Sequence, residues 1–160
     1  MWPEEEIVKM REAYPSALLT YDITSSCGAM PLRWDLGDVW LWSVQKCFGL
    51  PSGLGFLVVS PRAYDKALDV LKDKGGVAGW QRFDILEQKM AHHQTFDTPN
   101  MFNIALVAHL MSAWDLDAIY RDTLHKASLL YEAPVSWKPY IEDPRWRALT
   151  VANLCVTAPS

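Results

Sequence analysis

The feature that most constrains the fold is a pair of apolar runs joined by a short, glycine-rich turn. The first run, residues 38–44, ends just before Gln45-Lys46, and the second, residues 54–60, follows the turn Gly49-Leu50-Pro51-Ser52-Gly53. Short apolar runs bounded by turn residues are typical of buried strands. A parallel crossover needs a dozen or more residues, so these two strands are predicted to be antiparallel neighbours.

An acidic helix and a further strand precede this pair. Pro3 suits the first turn of a helix, the three glutamates after it favour the positive helix end, and Pro15 ends the helix. Residues 17–22 form a short apolar run that closes on Asp22, which predicts a buried parallel strand. The stretch 23–36 is rich in hydroxyl residues, glycine and proline and is expected to be a loop.

The second half of the chain is predicted to be mainly helical. Helices are expected over residues 61–74, 84–92, 98–114 and 116–131. Apolar residues nearly encircle the third of these helices, so it should be buried. Irregular structure is expected at 77–83 and 134–147, followed by a strand at 149–156 that has no nearby partner. We take that unpartnered strand as a sign of a larger protein.

Composition and charge limit the classes of function. The chain has 160 residues, half of them hydrophobic, and a net charge of -4, which gives no electrostatic footprint for nucleic acid or an anionic membrane. Three widely spaced cysteines argue against disulfides and zinc sites. No apolar run is long enough to span a membrane, and the acidic N-terminus is unlike a signal peptide. A cytoplasmic protein is expected.

Two charged residues are the main candidates for chemistry. Asp22 and Lys46 fall at the carboxyl ends of consecutive strands, where open α/β sheets bind their ligands. A desolvated lysine is a nucleophile that forms Schiff bases with carbonyl compounds and with pyridoxal phosphate. That cofactor also requires an acid against its pyridine nitrogen. The alternative is that Asp22 and Lys46 are solvated or paired with each other.

Several polar residues are weaker candidates for binding. Gln45 is a neutral donor suited to a phosphate, and the hydroxyls of residues 24–26 suit either a ring oxygen or side-chain turns. Thr98, at a predicted helix N-terminus, is a phosphate ligand or only a helix cap. The four histidines lack ligand spacing, so no metal site is expected. Cys47 is expected to be a packing residue.

Three ordered motifs resemble those of a known family. The motifs are Tyr21-Asp22-Ile23-Thr24-Ser25-Ser26, the stretch 43–55 around Gln45-Lys46, and Asp97-Thr98-Pro99-Asn100. They look like class V aminotransferases of the fold-type I pyridoxal-phosphate superfamily. The Gln-Lys pair, the Gly-x-Pro-x-Gly turn and the later Thr-Pro are closest to the phosphoserine aminotransferase branch.

The resemblance implies a role for each matching residue. Lys46 would be the Schiff-base lysine, and Asp22 would pair with the pyridinium nitrogen. Thr24 would lie near the phenolic oxygen of the ring, and Gln45 would bind the cofactor phosphate. Thr98 would reach the phosphate in the neighbouring subunit, because the active sites of this family lie at a homodimer interface.

The resemblance also implies a partial fold. The expected architecture is α/β, with the second half of a large domain over residues 1–110, whose mixed, mainly parallel sheet contains one antiparallel strand. Residues 111–160 would be a connecting helix and the start of a small α+β domain. Asp97 stands where the branch often has Asn, and since a carboxylate repels a phosphate, we leave it out of the site. The upstream loop that cups the cofactor phosphate in the family is absent, so a fragment is expected.

The function that follows from the resemblance is transamination. The expected substrates are phosphoserine and 2-oxoglutarate, in serine biosynthesis. Two alternatives remain open, namely another class V reaction such as serine–pyruvate or alanine–glyoxylate transamination, and a non-catalytic remnant. A half-sheet would expose apolar edges, so self-association is also expected.

Overall fold

The computed structural model describes residues 2–73, 82–133 and 137–156. The α-helices in these ranges are α1 (Glu4–Ala13), α2 (Pro61–Asp73), α3 (Phe83–Ala91), α4 (Met101–Met111) and α5 (Leu116–Tyr131). The strands are β1 (Thr20–Asp22), β2 (Val39–Ser43), β3 (Gly55–Val59), β4 (Trp137–Pro139) and β5 (Leu154–Val156). None of these helices is long and apolar enough to cross a bilayer.

The first three strands form one sheet in the order β1-β2-β3. β1 runs parallel to β2, with Asp22 opposite Leu41. β2 runs antiparallel to β3, with Val39 opposite Val59 and Ser43 opposite Gly55. Both predicted strand directions are therefore confirmed, and the carboxyl ends of β1 and β2 lie at the same edge of the sheet.

Aromatic side chains make much of the core beside this sheet. Trp40 and Ile23 are 3% and 2% exposed, and Tyr21 stacks on Trp40 with ring centroids 4.5 Å apart. Trp42 and Phe56 are cross-strand partners whose rings stack at 5.1 Å. Such pairs stabilise a sheet beyond the area they bury. These tryptophans therefore act in packing.

A buried carboxylate, Asp38, joins two of the helices, α1 and α2, to the sheet. It is 4% exposed and accepts hydrogen bonds from Arg11 at 2.7 Å and from Arg62 at 2.7 and 3.0 Å. The Leu19 amide and the Ser60 hydroxyl also donate to it, at 2.8 and 3.2 Å. Burial by itself raises the pKa of Asp38, but the two guanidinium groups and the amide outweigh it and hold that pKa far below its usual range.

The helix predictions hold in part. α1, α2 and α5 lie where the sequence predicts them. α3 begins at Phe83, one residue before the predicted start, and Arg82 at the N-cap position pairs with Asp84 of the first turn at 2.6 Å. α4 begins at Met101, later than the predicted start at residue 98, because the Asn100 side chain caps the helix by accepting from the Asn103 amide at 3.1 Å. Residues 77–81 of the predicted irregular stretch lie outside the described ranges.

Two predictions of burial are wrong. β1 covers only residues 20–22, and both Thr20 and Asp22 are exposed. α4 was expected to be buried, yet Asn103 is its one buried residue, and Met101 and Phe102 are 63% and 66% exposed. Within the described part of the chain β1 pairs with one strand only. An apolar sequence pattern predicts a surface that becomes buried when a neighbour packs on it. In the described part of the chain no element buries β1 or α4 in this way.

The C-terminal strand has a partner that the sequence analysis missed. β4 lies within the predicted loop 134–147 and pairs antiparallel with β5, with Lys138 opposite Cys155. The amide of Tyr140 extends this ladder to the Asn153 carbonyl at 2.8 Å. β4 is three residues long and ends in Pro139, which hides it from a periodicity argument. Residues 134–136 lie outside the described ranges.

Candidate active site

Lys46 follows β2 in a tight turn at the carboxyl edge of the sheet. β2 ends at Ser43, Val44 is fully buried, and the Gly49 amide closes the turn on the Lys46 carbonyl at 2.9 Å. The Lys46 side chain is exposed, and its Nζ donates to Ser25 Oγ at 2.8 Å. This contact brings the Lys46 turn against the loop that follows β1.

Asp22 ends β1 and begins that loop. The Thr24 amide and the Thr24 hydroxyl both donate to Asp22 Oδ1, at 2.9 and 2.6 Å. These bonds, the side-chain one first, lower the pKa of Asp22, and the positive charge of Lys46 lowers it further. Among the described residues Oδ2 receives no hydrogen bond, so an ionised oxygen is available to an external donor.

Asp22 and Lys46 therefore share one edge of the sheet without forming an ion pair. The nearest partner of the lysine is the Ser25 hydroxyl, and no ion pair within 4.0 Å joins Lys46 to Asp22 in the described ranges. Beside Asp22 lies an open cavity of about 350 Å³, whose walls include Ser25, Thr150 and Val151. A small polar molecule in this cavity would meet the carboxylate directly.

Two glycines shape the turn after Lys46. Gly49 and Gly53 have φ angles of +66° and +107°, in the left-handed region that favours glycine. Asn103, from α4, is 0% exposed, and its Nδ2 donates to the carbonyls of Pro51 at 2.9 Å and Ser52 at 3.1 Å. Helix α4 thus fixes the turn that carries the lysine.

Asn103 was missed by the sequence analysis, although the sequence holds a signal for it. It is a lone amide in a helix that is otherwise almost wholly apolar. A buried polar side chain requires hydrogen-bond partners from elsewhere in the fold. The sequence position of Asn103 therefore indicates a hydrogen bond to a distant part of the chain. It does not indicate which carbonyl groups accept that bond.

The two residues expected at the phosphate are less well placed. Gln45 and Thr98 are both exposed. Thr98 lies outside α4, whose cap is Asn100, so the argument from a helix N-terminus is wrong for Thr98. The Asn100 side chain does lie close to the Lys46 turn, since a Cβ placed on Gly53 would be 3.3 Å from Asn100 Nδ2.

A second missed contact comes from the far end of the chain. The Thr150 hydroxyl donates to the Ser25 carbonyl, 125 residues away in sequence. Tyr131 OH donates to the Ala148 carbonyl at 3.0 Å and so fixes the same segment from α5. Ala148, Thr150 and Val151 therefore form a wall of the cavity beside Asp22.

The nearby cysteines are not built as nucleophiles. Cys27 is 7% exposed, and burial raises the pKa of its thiol to about 11. Burial also raises the pKa of Cys47. A reactive cysteine needs a lowered pKa, so both thiols fit a packing role.

Comparison with known proteins shows what this arrangement is similar to. No model of a protein family matches the chain. It is 29% identical over 147 residues to a phosphoserine aminotransferase of Rhodococcus jostii (strain RHA1), covering 87% of this chain and 39% of that protein. It is 26% identical over 150 residues to a phosphoserine aminotransferase of Corynebacterium glutamicum (strain R), covering 89% of this chain and 40% of that protein.

Solved structures extend the likeness to the fold. A phosphoserine aminotransferase of Cytophaga hutchinsonii superposes with a TM-score of 0.83 and 30% identity, over 92% of this chain and 42% of that one. An alanine–glyoxylate aminotransferase of Nostoc sp. shares the fold, with a TM-score of 0.78 and 19% identity over 93% and 41% of the two chains. The chain thus spans about two-fifths of the length of these proteins. Its fold is a partial fold-type I aminotransferase domain, and its resemblance to phosphoserine aminotransferases is confirmed.

Proposed function

We propose that this chain carries the lysine-bearing part of a pyridoxal-phosphate-dependent class V aminotransferase. The observation that carries the proposal is the placement of Asp22 and Lys46. They lie at the carboxyl ends of adjacent parallel strands, with the acid ionised and one of its oxygens open. An amine and a carboxylate at this edge are the two groups that bind the aldehyde and the ring nitrogen of the cofactor.

The described residues fit the reactive end of the cofactor. Lys46 supplies the primary amine for the aldehyde carbon, and Asp22 Oδ2 is the acceptor for the protonated ring nitrogen. Thr24 keeps Asp22 ionised through its two hydrogen bonds, and its hydroxyl oxygen is proposed to lie near the phenolic oxygen of the ring. For the phosphate we propose Gln45 and, in the neighbouring subunit, Thr98.

The chemistry then divides between cofactor and protein. When bound, pyridoxal phosphate supplies an electron-withdrawing ring that delocalises negative charge from the substrate Cα. Asp22 would hold the ring nitrogen and, as an ionised carboxylate, would favour its protonated form. Lys46 Nζ would act as the general base that takes the proton from the substrate Cα and as the general acid that delivers it to the aldehyde-derived carbon of the cofactor.

The substrate class rests on the relatives. Proteins named phosphoserine aminotransferase match most of the chain. We therefore propose phosphoserine with 2-oxoglutarate, in cytoplasmic serine biosynthesis, and alanine–glyoxylate or serine–pyruvate exchange as the competing reactions. The exposed apolar face of α4 supports a homodimer with shared sites.

Cofactor trapping tests the proposal on the full chain. The purified protein is mixed with pyridoxal phosphate, its visible spectrum is recorded, the adduct is reduced with borohydride, and modified peptides are mapped. We expect an absorbance band and a single label on Lys46, which are lost in Lys46→Met and kept in the matched control Lys126→Met. Asp22→Asn should weaken cofactor binding without moving the label.

The opposite outcome has a defined meaning. Labels scattered over many lysines would overturn the proposal and support the non-catalytic remnant.

A further inference from the structure

We propose that Ser25 is a positioning residue for Lys46 and that Thr150 holds Ser25 in place. The functional part of this inference rests on the proposed role of Lys46. Its structural part is a chain of contacts that leads from the C-terminal segment to the lysine amine.

The first contact orients a flexible side chain. A lysine carries its ammonium on four methylene groups, so an exposed lysine samples many rotamers. Lys46 Nζ instead donates to Ser25 Oγ at 2.8 Å. The hydrogen bond directs the amine toward the loop that begins at Asp22, and Ser25 is itself one of the residues that line the cavity.

The backbone around Ser25 forms a tight, hydrogen-bonded turn. Upstream, the amides of Ser26 and Cys27 both donate to the Ile23 carbonyl at 2.8 Å, which makes a tight turn. Ile23 is itself 2% exposed and fixed in the core. The hydroxyl of Ser25 therefore starts from a rigid backbone, as a positioning group requires.

The second contact joins this turn to the C-terminal part of the chain. Thr150 donates its hydroxyl proton to the Ser25 carbonyl. The segment of Thr150 is anchored by Tyr131 OH, which donates to the Ala148 carbonyl at 3.0 Å, and the Arg147 guanidinium lies 5.4 Å from the centre of the Tyr131 ring. Helix α5 thus supports the Ser25 turn through residues 147–150.

The order of contacts has a functional consequence. Thr150 and Ser25 both line the cavity beside Asp22, while Lys46 is reached through Ser25. A movement of the segment 148–151 would therefore change the direction of the Lys46 amine. The C-terminal segment, which carries no charged group at this point, acts on the lysine through a neutral hydroxyl.

The test measures the freedom of the Lys46 amine in the full chain without any cofactor. Lysines are methylated with limiting formaldehyde and dimethylamine–borane, and each site is quantified by mass spectrometry. Lys9 and Lys126, on helices far from Ser25 in sequence, serve as internal references. Ser25→Ala should raise Lys46 methylation relative to these references by about two- to tenfold, because one hydrogen bond no longer restrains the amine. Ser25→Thr, which keeps the hydroxyl, should restore the original rate.

A double-mutant cycle tests the link to Thr150. Thr150→Val keeps the side-chain shape and removes the donor, and we expect a smaller rise at Lys46. In the Ser25→Ala background the same change should have no further effect, because Thr150 acts only through Ser25. Should Ser25→Ala fail to fold by circular dichroism, Ser25→Cys, a near-isosteric and weaker acceptor, is measured in its place.

Two results would overturn the inference. One is that Lys46, relative to the reference lysines, is methylated in Ser25→Ala at the same rate as in the unaltered protein. The other is an equal effect of Thr150→Val in both backgrounds. Since no pyridoxal phosphate is present, this experiment fails or succeeds independently of cofactor trapping at Lys46.

Discussion

The side-chain Nδ2 of Asn103 donates a hydrogen bond to the carbonyl of Pro51 at 2.9 Å, and this contact joins α4 to the turn that follows Lys46. The same amide reaches Ser52 at 3.1 Å. A helix whose surface is mostly exposed thus fixes the backbone of the candidate site through one buried polar group.

The first prediction concerns this contact. Asn103→Ala removes two hydrogen bonds and leaves a small cavity, so the free energy of unfolding should fall by about 2–3 kcal/mol. Asn100→Ala, which removes only the helix cap, should cost about 1 kcal/mol. Urea unfolding followed by tryptophan fluorescence gives both values. Equal losses in the two variants would show that the contact with the turn adds nothing to the cap.

The second prediction concerns the ionisation of Asp22. The Thr24 hydroxyl is the largest of the influences that lower the pKa of this carboxyl. Thr24→Val removes that bond, so the pKa of Asp22 should rise toward the ordinary value of about 3.9. Thr24→Ser keeps the hydroxyl and should leave the pKa low. Carboxyl-carbon NMR titration of Asp22 measures the shift, and a fall in Thr24→Val would contradict the assignment.

The third prediction follows from the buried carboxylate Asp38. Its pKa is lower in the folded than in the unfolded chain, so it stabilises the fold above the unfolded pKa of about 3.9 and loses that effect as the pH falls below it. At pH 7, Asp38→Asn should lower the free energy of unfolding by about 2–4 kcal/mol.

The pH dependence provides the check for Asp38. The difference between the unaltered protein and Asp38→Asn should stay constant from pH 7 to about pH 5 and shrink progressively below about pH 4. Asp35→Asn is the control, because the Asp35 side chain is 63% exposed and its partner Arg33 is 53% exposed. Its effect should be much smaller at every pH. A difference at Asp38 that grows on acidification would refute the argument.

The fourth prediction compares two glycines. Gly28 has φ +89°, and a Cβ placed there would lie 3.1 Å from Phe48 and 3.2 Å from Trp114. Gly49 has φ +66° with no atom within 4 Å of such a Cβ. Gly28→Ala should therefore cost about 2–3 kcal/mol and Gly49→Ala about 1–2 kcal/mol. The rings of Phe48 and Trp114 stack with centroids 5.2 Å apart, and near-ultraviolet circular dichroism should report a disturbance of this stack in Gly28→Ala alone.

The fifth prediction concerns the exposed face of α4. Met101 and Phe102 are 63% and 66% exposed, which favours self-association. The double variant Met101→Gln, Phe102→Glu should shift the sedimentation coefficient toward that of a monomer. Tyr140→Glu, at a residue that is 72% exposed and extends the β4–β5 ladder, should leave the sedimentation coefficient unchanged. A monodisperse monomer in the unaltered protein would argue against α4 as an interface.

The sequence predicted the parts of the fold that depend on local pattern. Short apolar runs and the tight turn between them were enough to place β2, β3 and the direction of their pairing. Amphipathic spacing was enough for α5, whose bounds Leu116–Tyr131 match the prediction. Asp22 and Lys46 were found because strand ends can be identified from hydrophobic runs, and the structure places both at one edge.

Features that depend on distant contacts were not predictable in the same way. Helix α4 begins at Met101 because the Asn100 side chain caps it, whereas the Thr-Pro pair at residues 98–99 had predicted an earlier start. β4 was hidden since its three residues gain stability only from pairing with β5. The bond from Thr150 to Ser25 crosses 125 positions, and no local pattern indicates such a contact.

The Asp38 network has a consequence for how the native state opens. Its donors come from α1, from the residue before β1, from the end of the β3 segment and from α2. Detachment of any one of these segments would remove a donor from a buried negative charge. Their amides should therefore exchange with solvent as one cooperative unit, and the slow-exchanging nucleus of the domain is centred on a carboxylate rather than on an aliphatic cluster.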